Sequence, residues 1–410
     1  MPGWKRGCMA ALVGGVAWAS AACGAGPPAG RVATPADPAA ARTIATADNA
    51  LGFALLRGLT AASPAENVFI SPPSLAIDLS MLYTGARGQT AAEMARVLHL
   101  GTLGPAQVEA GNAALLGALE NPGKGITLDI ANSLWARAGV QLAPAFLRTD
   151  ARAYGAKVAS VPFSSPQAVR EINAWVDQNT AGNIPTLVQR LPADGVLELL
   201  DAVYFQGTWQ TAFNPADTRP GPFTVPGGGT VTVPLMARSG VLPYYQGPGY
   251  QVAALPYAGG RFRMEVVLPA PGAPMPQDVA GAWTDWQSRL QPRTVALTLP
   301  RFTLTDTSNL GGQLADLGMA GAFSSQADFS GLCTGAVGCR ISSVLQKTAL
   351  QVDEAGTTAA AATAIGVTTA VAVQTPPAVR MDVNRPFLCA LVDQTTGAVL
   401  FIGVVDDPSA

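Results

Sequence analysis

The feature that most restricts this chain lies near its C-terminus. From Ala355 to Val379 no residue is charged, and no proline occurs before Pro376. Alanine, threonine and valine dominate, so nothing ahead of Pro376 blocks a backbone hydrogen-bond ladder on either edge of an extended strand. The same small side chains also suit an alanine-rich helix or an exposed, flexible connection. The rest of the chain must tolerate this run in solvent, inside a sheet, or first one and then the other.

Little else in the sequence carries chemistry. The one histidine, His99, closes a helical pattern in Arg-Val-Leu-His-Leu, and no Gly-x-Ser-x-Gly occurs. A Ser-His-Asp hydrolase and a histidine-based metal site are therefore both excluded, and His99 reads as a partly exposed structural residue. Charged residues make up 13% of the chain and the formal net charge is −2. That leaves no basic footprint for nucleic acid and no basic helical stripe for a polyanion such as heparin. No cofactor is expected. At 410 residues the chain can bury a large core.

The N-terminus reads as an export signal. Lys5 and Arg6 precede an apolar run from Cys8 to Ala19 and the small residues Ser20-Ala21-Ala22 before Cys23, a run too short to span a bilayer comfortably. Cys23 resembles a lipobox cysteine, the lipidated first residue of a mature bacterial lipoprotein, which gives a signal at 1–22; the alternative is an ordinary signal cleaved after a nearby alanine. Residues 23–45 then read as the lipidated cysteine and a flexible Pro/Gly/Ala-rich tether. The product is expected outside the cell, at the surface, touching membrane only through that lipid. Cys333 and Cys339 enclose a short flexible loop that can close as a disulfide in an oxidising compartment, and Cys389 reads as a buried strand thiol.

Local patterns divide the rest into elements. Leu51, Leu55 and Leu59 repeat every four residues, as in a helix. In Asn67-Val-Phe-Ile-Ser71-Pro-Pro-Ser74 a short strand meets a buried helix, with Ser71 placed to cap it and the prolines in its first turn. Gly85 ends that helix, and Thr90-Ala-Ala-Glu93 reads as a capping box. Val225-Pro-Gly-Gly-Gly229 marks a hairpin.

Glu354-Ala-Gly356-Thr357 followed by alanines resembles the proximal hinge of the serpin family, the suicide inhibitors of proteases. Residues 67–94 are similar to two of that family's helices nearly residue for residue. Asn132-Ser-Leu-Trp135, Leu199 to Trp209, Leu297 to Phe302, Ala327 to Gly331, Asn384-Arg-Pro-Phe387 and Leu400 to Gly403 match further blocks. The resemblance spans roughly 46–408 and implies an α+β serpin fold. It would be a single large domain over 46–410, with a central, mostly antiparallel sheet A, sheets B and C, and about eight to nine helices. Residues of about 354–379 would form an exposed reactive loop.

The resemblance also implies a function. Such a protein is not an enzyme: a target serine protease attacks the loop, and the cleaved loop inserts into sheet A before the acyl complex can be hydrolysed. Counted along the loop at the family's usual length, the reactive bond falls between Ala370 and Val371, with Thr369 as the fallback. A small residue there suits an elastase-like or subtilisin-like protease. The hinge comprises Glu354, Gly356, Thr357, Ala359 and Ala361, uncharged after its first acid and therefore cheap to bury. About a dozen ladder bonds at about 1 kcal/mol each, with apolar burial, bring insertion to about 10 kcal/mol or more. Ser74, Asp201 and Gln346 align with a hydrogen-bonded shutter under the sheet, where the family places a serine, an asparagine and a histidine. Trp209 and Arg301 align with the breach, where a basic residue pairs with the hinge acid, here Glu354. A monomer is expected. The alternative is a non-inhibitory surface protein of the same fold, a carrier or ligand.

Overall fold

The computed structural model describes residues 37–276, 278–335, 338–357 and 378–410. Its helices are α1 (Pro38–Ala62), α2 (Pro72–Gly85), α3 (Gly88–Val97), α4 (Pro105–Leu119), α5 (Pro144–Ala153), α6 (Pro166–Asn179), α7 (Val279–Arg289), α8 (Gly311–Leu314) and α9 (Ala320–Phe323). The strands begin with β1 (Val68–Ile70), β2 (Ile126–Arg137), β3 (Gln141–Leu142), β4 (Lys157–Val161), β5 (Leu197–Thr208), β6 (Arg219–Thr224) and β7 (Thr230–Gly247). They continue with β8 (Tyr250–Pro256), β9 (Phe262–Pro269), β10 (Gln291–Pro300), β11 (Phe302–Asn309), β12 (Cys333–Thr334) and β13 (Ile341–Val352). The last four are β14 (Gly356–Thr357), β15 (Val379–Asp382), β16 (Phe387–Asp393) and β17 (Val399–Val405).

A six-stranded sheet in the order β11-β13-β14-β5-β2-β4 forms the centre. Its pairings are antiparallel except β13–β5 and β2–β4. Strand β5 is buried along almost its whole length because both faces are covered. Leu199, Val203 and Phe205 join the main core, whereas Leu200 and Ala202 pack outward with Ile172 and Val176 of α6. Helix α2 lies behind the sheet and is buried on nearly every side, which explains why its sequence shows no polar stripe. A nine-stranded sheet completes the core. Long β7 ties it together, pairing with β10 from Leu235 to Tyr244 and with β8 from Tyr244 to Gly247. The β6–β7 hairpin turns on Gly227 and Gly228, both at positive φ, where glycine alone is unstrained.

Several local expectations change. Helix α1 starts at Pro38 with Asp37 as its cap, the carboxylate accepting from the N–H groups of Ala39 and Ala40. It buries Ala41, Ile44 and Ala45, so residues 38–45, expected in the tether, are packed helix. Ser71 holds the cap position of α2 but makes no side-chain cap bond. Thr90 and Glu93 do not form a capping box, because α3 begins at Gly88. Thr90 accepts from the N–H of Asp328, and Glu93 from that of Gly321: distant backbone donors displace the local bonds. Cys333 and Cys339 are joined as a disulfide, and Cys389 is a buried free thiol.

Candidate functional site

The site is a seam. Strands β13 and β5 run parallel and pair directly from Ile341–Leu197 up to Ala349–Tyr204. Above that point β14 separates them: Thr357 lies opposite Gly207 on β5 and Val352 on β13, and Gly356 lies opposite Thr208. The chain reaches this wedge through a tight turn closed by Asp353. Its carboxylate accepts from the N–H groups of Ala355 and Gly356, and its own N–H donates to the carbonyl of Gly356. Gly356 is required by space, since a Cβ there would lie 2.1 Å from the carbonyl oxygen of Gly207. Thr357 is fully buried, its hydroxyl 2.6 Å from that of Tyr257.

The turn is anchored on both sides. Arg301 Nη2 donates to Glu354 Oε1 at 2.6 Å, and the Thr218 hydroxyl donates to the same oxygen at 2.6 Å. Burial pushes the Glu354 carboxyl up, but these hydrogen bonds and the nearby guanidinium outweigh it and hold the group below its ordinary value. Trp209 donates from its indole to the carbonyl of Asp353 at 2.9 Å and from its backbone to that of Ala355. The ring stacks on Tyr257 with centroids 4.5 Å apart.

Halfway down the seam, under the core face, Ser74, Asp201 and Gln346 meet. Ser74 Oγ donates to Asp201 Oδ1 at 2.5 Å and Gln346 Nε2 to Asp201 Oδ2 at 2.6 Å. Gln346 also bonds the backbone of Ser71 in both directions. Asp201 and Gln346 are register partners, so their bond crosses the seam itself. Asn132 of β2 joins by donating to the carbonyl of Ser74 at 2.8 Å. Asp78, one helical turn beyond Ser74, is completely buried, and among the described residues neither carboxylate oxygen has a hydrogen-bond partner of good geometry. Burial, together with Asp201 opposite, drives the Asp78 carboxyl strongly upward, and the Asn132 amide beside it offsets this only in part. Burial likewise raises that of Asp201, offset only in part by Gln346 and Ser74.

A further contact crosses the seam lower down. Ser343 of β13 donates its hydroxyl to Glu198 of β5, its register partner. Burial raises the Glu198 carboxyl to about 7, with Ser343 opposing and Asp194 adding to the rise. Glu198 points to the α6 side, opposite to Asp201, because the two differ by an odd number of residues.

Of the residues expected from sequence, the structure brings Glu354 to Arg301 and Trp209 at the head of the seam, and Ser74 to Asp201 and Gln346 at its middle. Ala359, Ala361, Thr369, Ala370, Val371 and Cys23 lie outside the described residues. Sequence reasoning missed Asp353, Thr218, Tyr257, Asn132, Asp78, Glu198 and Ser343. Asp78 and Glu198 carried a usable signal, each a carboxylate in an otherwise apolar element; the others only gain meaning from partners far away in the chain.

A family model described as Serpin (serine protease inhibitor) matches residues 46–408. An uncharacterized serpin-like protein of Thermococcus kodakarensis is 35% identical over 376 residues, covering 90% of this chain and 86% of its own. The leukocyte elastase inhibitor of Bos taurus is 34% identical, covering 89% of this chain and 99% of its own. The solved structure of the thermophilic serpin tengpin in its native state superposes with a TM-score of 0.82 at 28% identity, covering 89% of this chain and 94% of tengpin. Human thyroxine-binding globulin complexed with thyroxine also gives 0.82 at 28% identity, covering 90% of this chain and 99% of the globulin.

Proposed function

The chain belongs to the serpin family, and from that premise we propose that it is a suicide-substrate inhibitor of serine proteases of the elastase-like or subtilisin-like kind. The observation that carries this is β14: the first two residues of the expected loop strand already sit between β13 and β5. Extending that antiparallel register by six residues would bring Thr363 opposite both Asp201 and Gln346, on the core face shared with Thr357. Three residues further, Gly366 would arrive opposite Glu198 and Ser343 and bring no side chain to crowd them.

The protease supplies the nucleophile and this chain supplies a scissile bond, Ala370–Val371 or the one after Thr369. Once the acyl bond forms, the freed hinge can add ladder bonds down the seam, parting β5 from β13. Gly356 leaves room for the turn, Thr357 makes the first buried contact, and Ala359 and Ala361 follow on the same face. Glu354, Arg301 and Trp209 fix the point where entry begins. Ser74, Asp201 and Gln346 form the bar that entry must displace. Trapping succeeds when this motion outruns deacylation. Export by the N-terminal signal and anchoring through a lipid on Cys23 would place the inhibitor outside the cell; among the described residues no helix is long and apolar enough to cross a membrane.

A carrier role is the second reading. It draws on a groove of about 950 Å³ lined by Leu56 and Arg57 of α1, by Met275 and by Arg385. The uncharged hinge favours the inhibitor. Incubation with elastase-type and subtilisin-type proteases should give an SDS-resistant adduct and release a C-terminal fragment whose mass begins at Val371. Cleavage with no adduct, and no gain in heat stability afterwards, would favour the carrier.

A further inference from the structure

Two carboxylates of one strand bar the seam on opposite faces. Asp201 is bonded to Gln346 on the core face, and Glu198 to Ser343 on the α6 face. In both cases the partner is the register neighbour on β13. Both acids are about 1% exposed. These are the bonds that must break if β5 and β13 are to part, and each depends on a group whose charge is costly where it sits.

We propose that parting of β5 from β13 is proton-linked, with protonated Glu198 and Asp201 keeping the seam shut and their ionisation easing it open. The inference rests on the inhibitor reading only in taking that parting as the functional motion. The surroundings of each acid set the direction. Asp201 faces Asp78 and Ser74 from α2, Asn132 from β2 and Gln346 from β13, and behind Asp78 stands Asp150 of α5. Among the described groups that interact with this pair none is cationic. Glu198 faces Ser343 from β13 and Asp194 from the preceding loop, and Arg190 lines the same cavity of about 540 Å³. One oxygen of Glu198 has no hydrogen-bond partner among the described residues.

For a carboxyl raised by burial, the closed form is favoured fully below the ordinary value and loses that advantage as pH rises through the raised one. When the strands part, water reaches the carboxylates and both return toward their ordinary range. With Glu198 at about 7 in the closed seam and back at its ordinary value in the open one, opening should become about thirtyfold easier between pH 5.5 and 8 from this group alone. Asp201 adds in the same direction.

The test uses the intact full chain without protease. A synthetic peptide with the sequence of residues 357–370 is annealed into the sheet, and its incorporation rate is followed by native gel from pH 5.5 to 8. The wild-type rate should rise at least about tenfold across that range. Glu198→Gln and Asp201→Asn keep an acceptor for Ser343 and Gln346 but cannot ionise; each should reduce the slope, and the double variant should be flat. Melting temperatures over the same pH range give a second reading, falling toward pH 8 in the wild type and much less in the double variant. A flat wild type, or a double variant with the wild-type slope in both measurements, overturns the proposal. Failure of the peptide to enter at any pH would count against the inhibitor reading instead, and the melting comparison would then decide the proton linkage.

Discussion

Replacing Thr357 with arginine tests the entry step at its first buried residue. Thr357 is fully buried between Gly207 and Val352, with its hydroxyl against Tyr257. The carboxylates of the adjoining turn are committed: Asp353 holds the turn, and Glu354 holds Arg301 and Thr218. An arginine entering the seam would bury an unpaired guanidinium, which costs several kcal/mol even after relaxation. If only about 3 kcal/mol of this appears in the barrier to insertion, entry slows about 150-fold. Deacylation, carried out by the protease, is unchanged, so the acyl complex would be hydrolysed before it is trapped. The assay is the partition between SDS-resistant adduct and cleaved, released inhibitor on a gel, read as the number of inhibitor molecules consumed per protease silenced. Thr357→Arg should convert the chain from inhibitor to substrate, cleaved at the same bond at a similar rate. Thr357→Ser, which keeps the hydroxyl, should trap normally. An unchanged adduct fraction in Thr357→Arg would refute the idea that this residue must be buried for trapping.

Three other outcomes follow from the same geometry. Glu354→Gln removes the ion pair with Arg301, whose side chain is 45% exposed. The loss should be about 1 kcal/mol, seen as a small fall in the intact chain's melting temperature at pH 7. Because the Glu354 carboxyl is held below its ordinary value, that difference should be present at neutral pH and vanish as pH falls through its folded value. Replacing both Cys333 and Cys339 with serine opens a loop of sequence separation 6 and should cost about 2 kcal/mol, measurable by urea denaturation, with trapping unaffected. Nicking near Ala370 should raise the melting temperature by more than about 10 °C if insertion contributes about 10 kcal/mol; calorimetry of the purified nicked chain decides it.

Much of this architecture was legible because it is written in local patterns. The proline pair before α2, the glycine-rich β6–β7 turn and the apolar strands all declare themselves in short windows. So does the start of α1, where Asp37-Pro38 is a cap followed by an N1 proline, although the alanine-rich sequence around it reads equally well as linker. Thr90 and Glu93 show the opposite failure. Their spacing fits a capping box, yet backbone N–H groups of Asp328 and Gly321, far away in the chain, claim both side chains. A local hydrogen bond of about 1 kcal/mol yields readily to a backbone donor that the tertiary fold brings to the same oxygen.

The seam's acids show why alignment with a family pattern stops short of chemistry. Where that pattern places a neutral asparagine and a histidine, this chain has Asp201 and Gln346, so the ionisable group has moved from β13 to β5 and changed sign. The amide of Gln346 still reaches across to Asp201, which preserves the connection while altering what breaks it. An imidazole loses its grip by gaining or shedding a proton near neutrality, whereas a buried carboxyl favours the closed sheet when neutral and burdens it when charged. Asp78 sharpens this, since a second buried carboxyl behind the first makes simultaneous ionisation costlier still. The exchange therefore fixes the direction in which acid should act on the seam: lowering the pH should hold the strands together, and Asp201→Asn, which stays neutral, should make that hold independent of pH while leaving the bond to Gln346 in place.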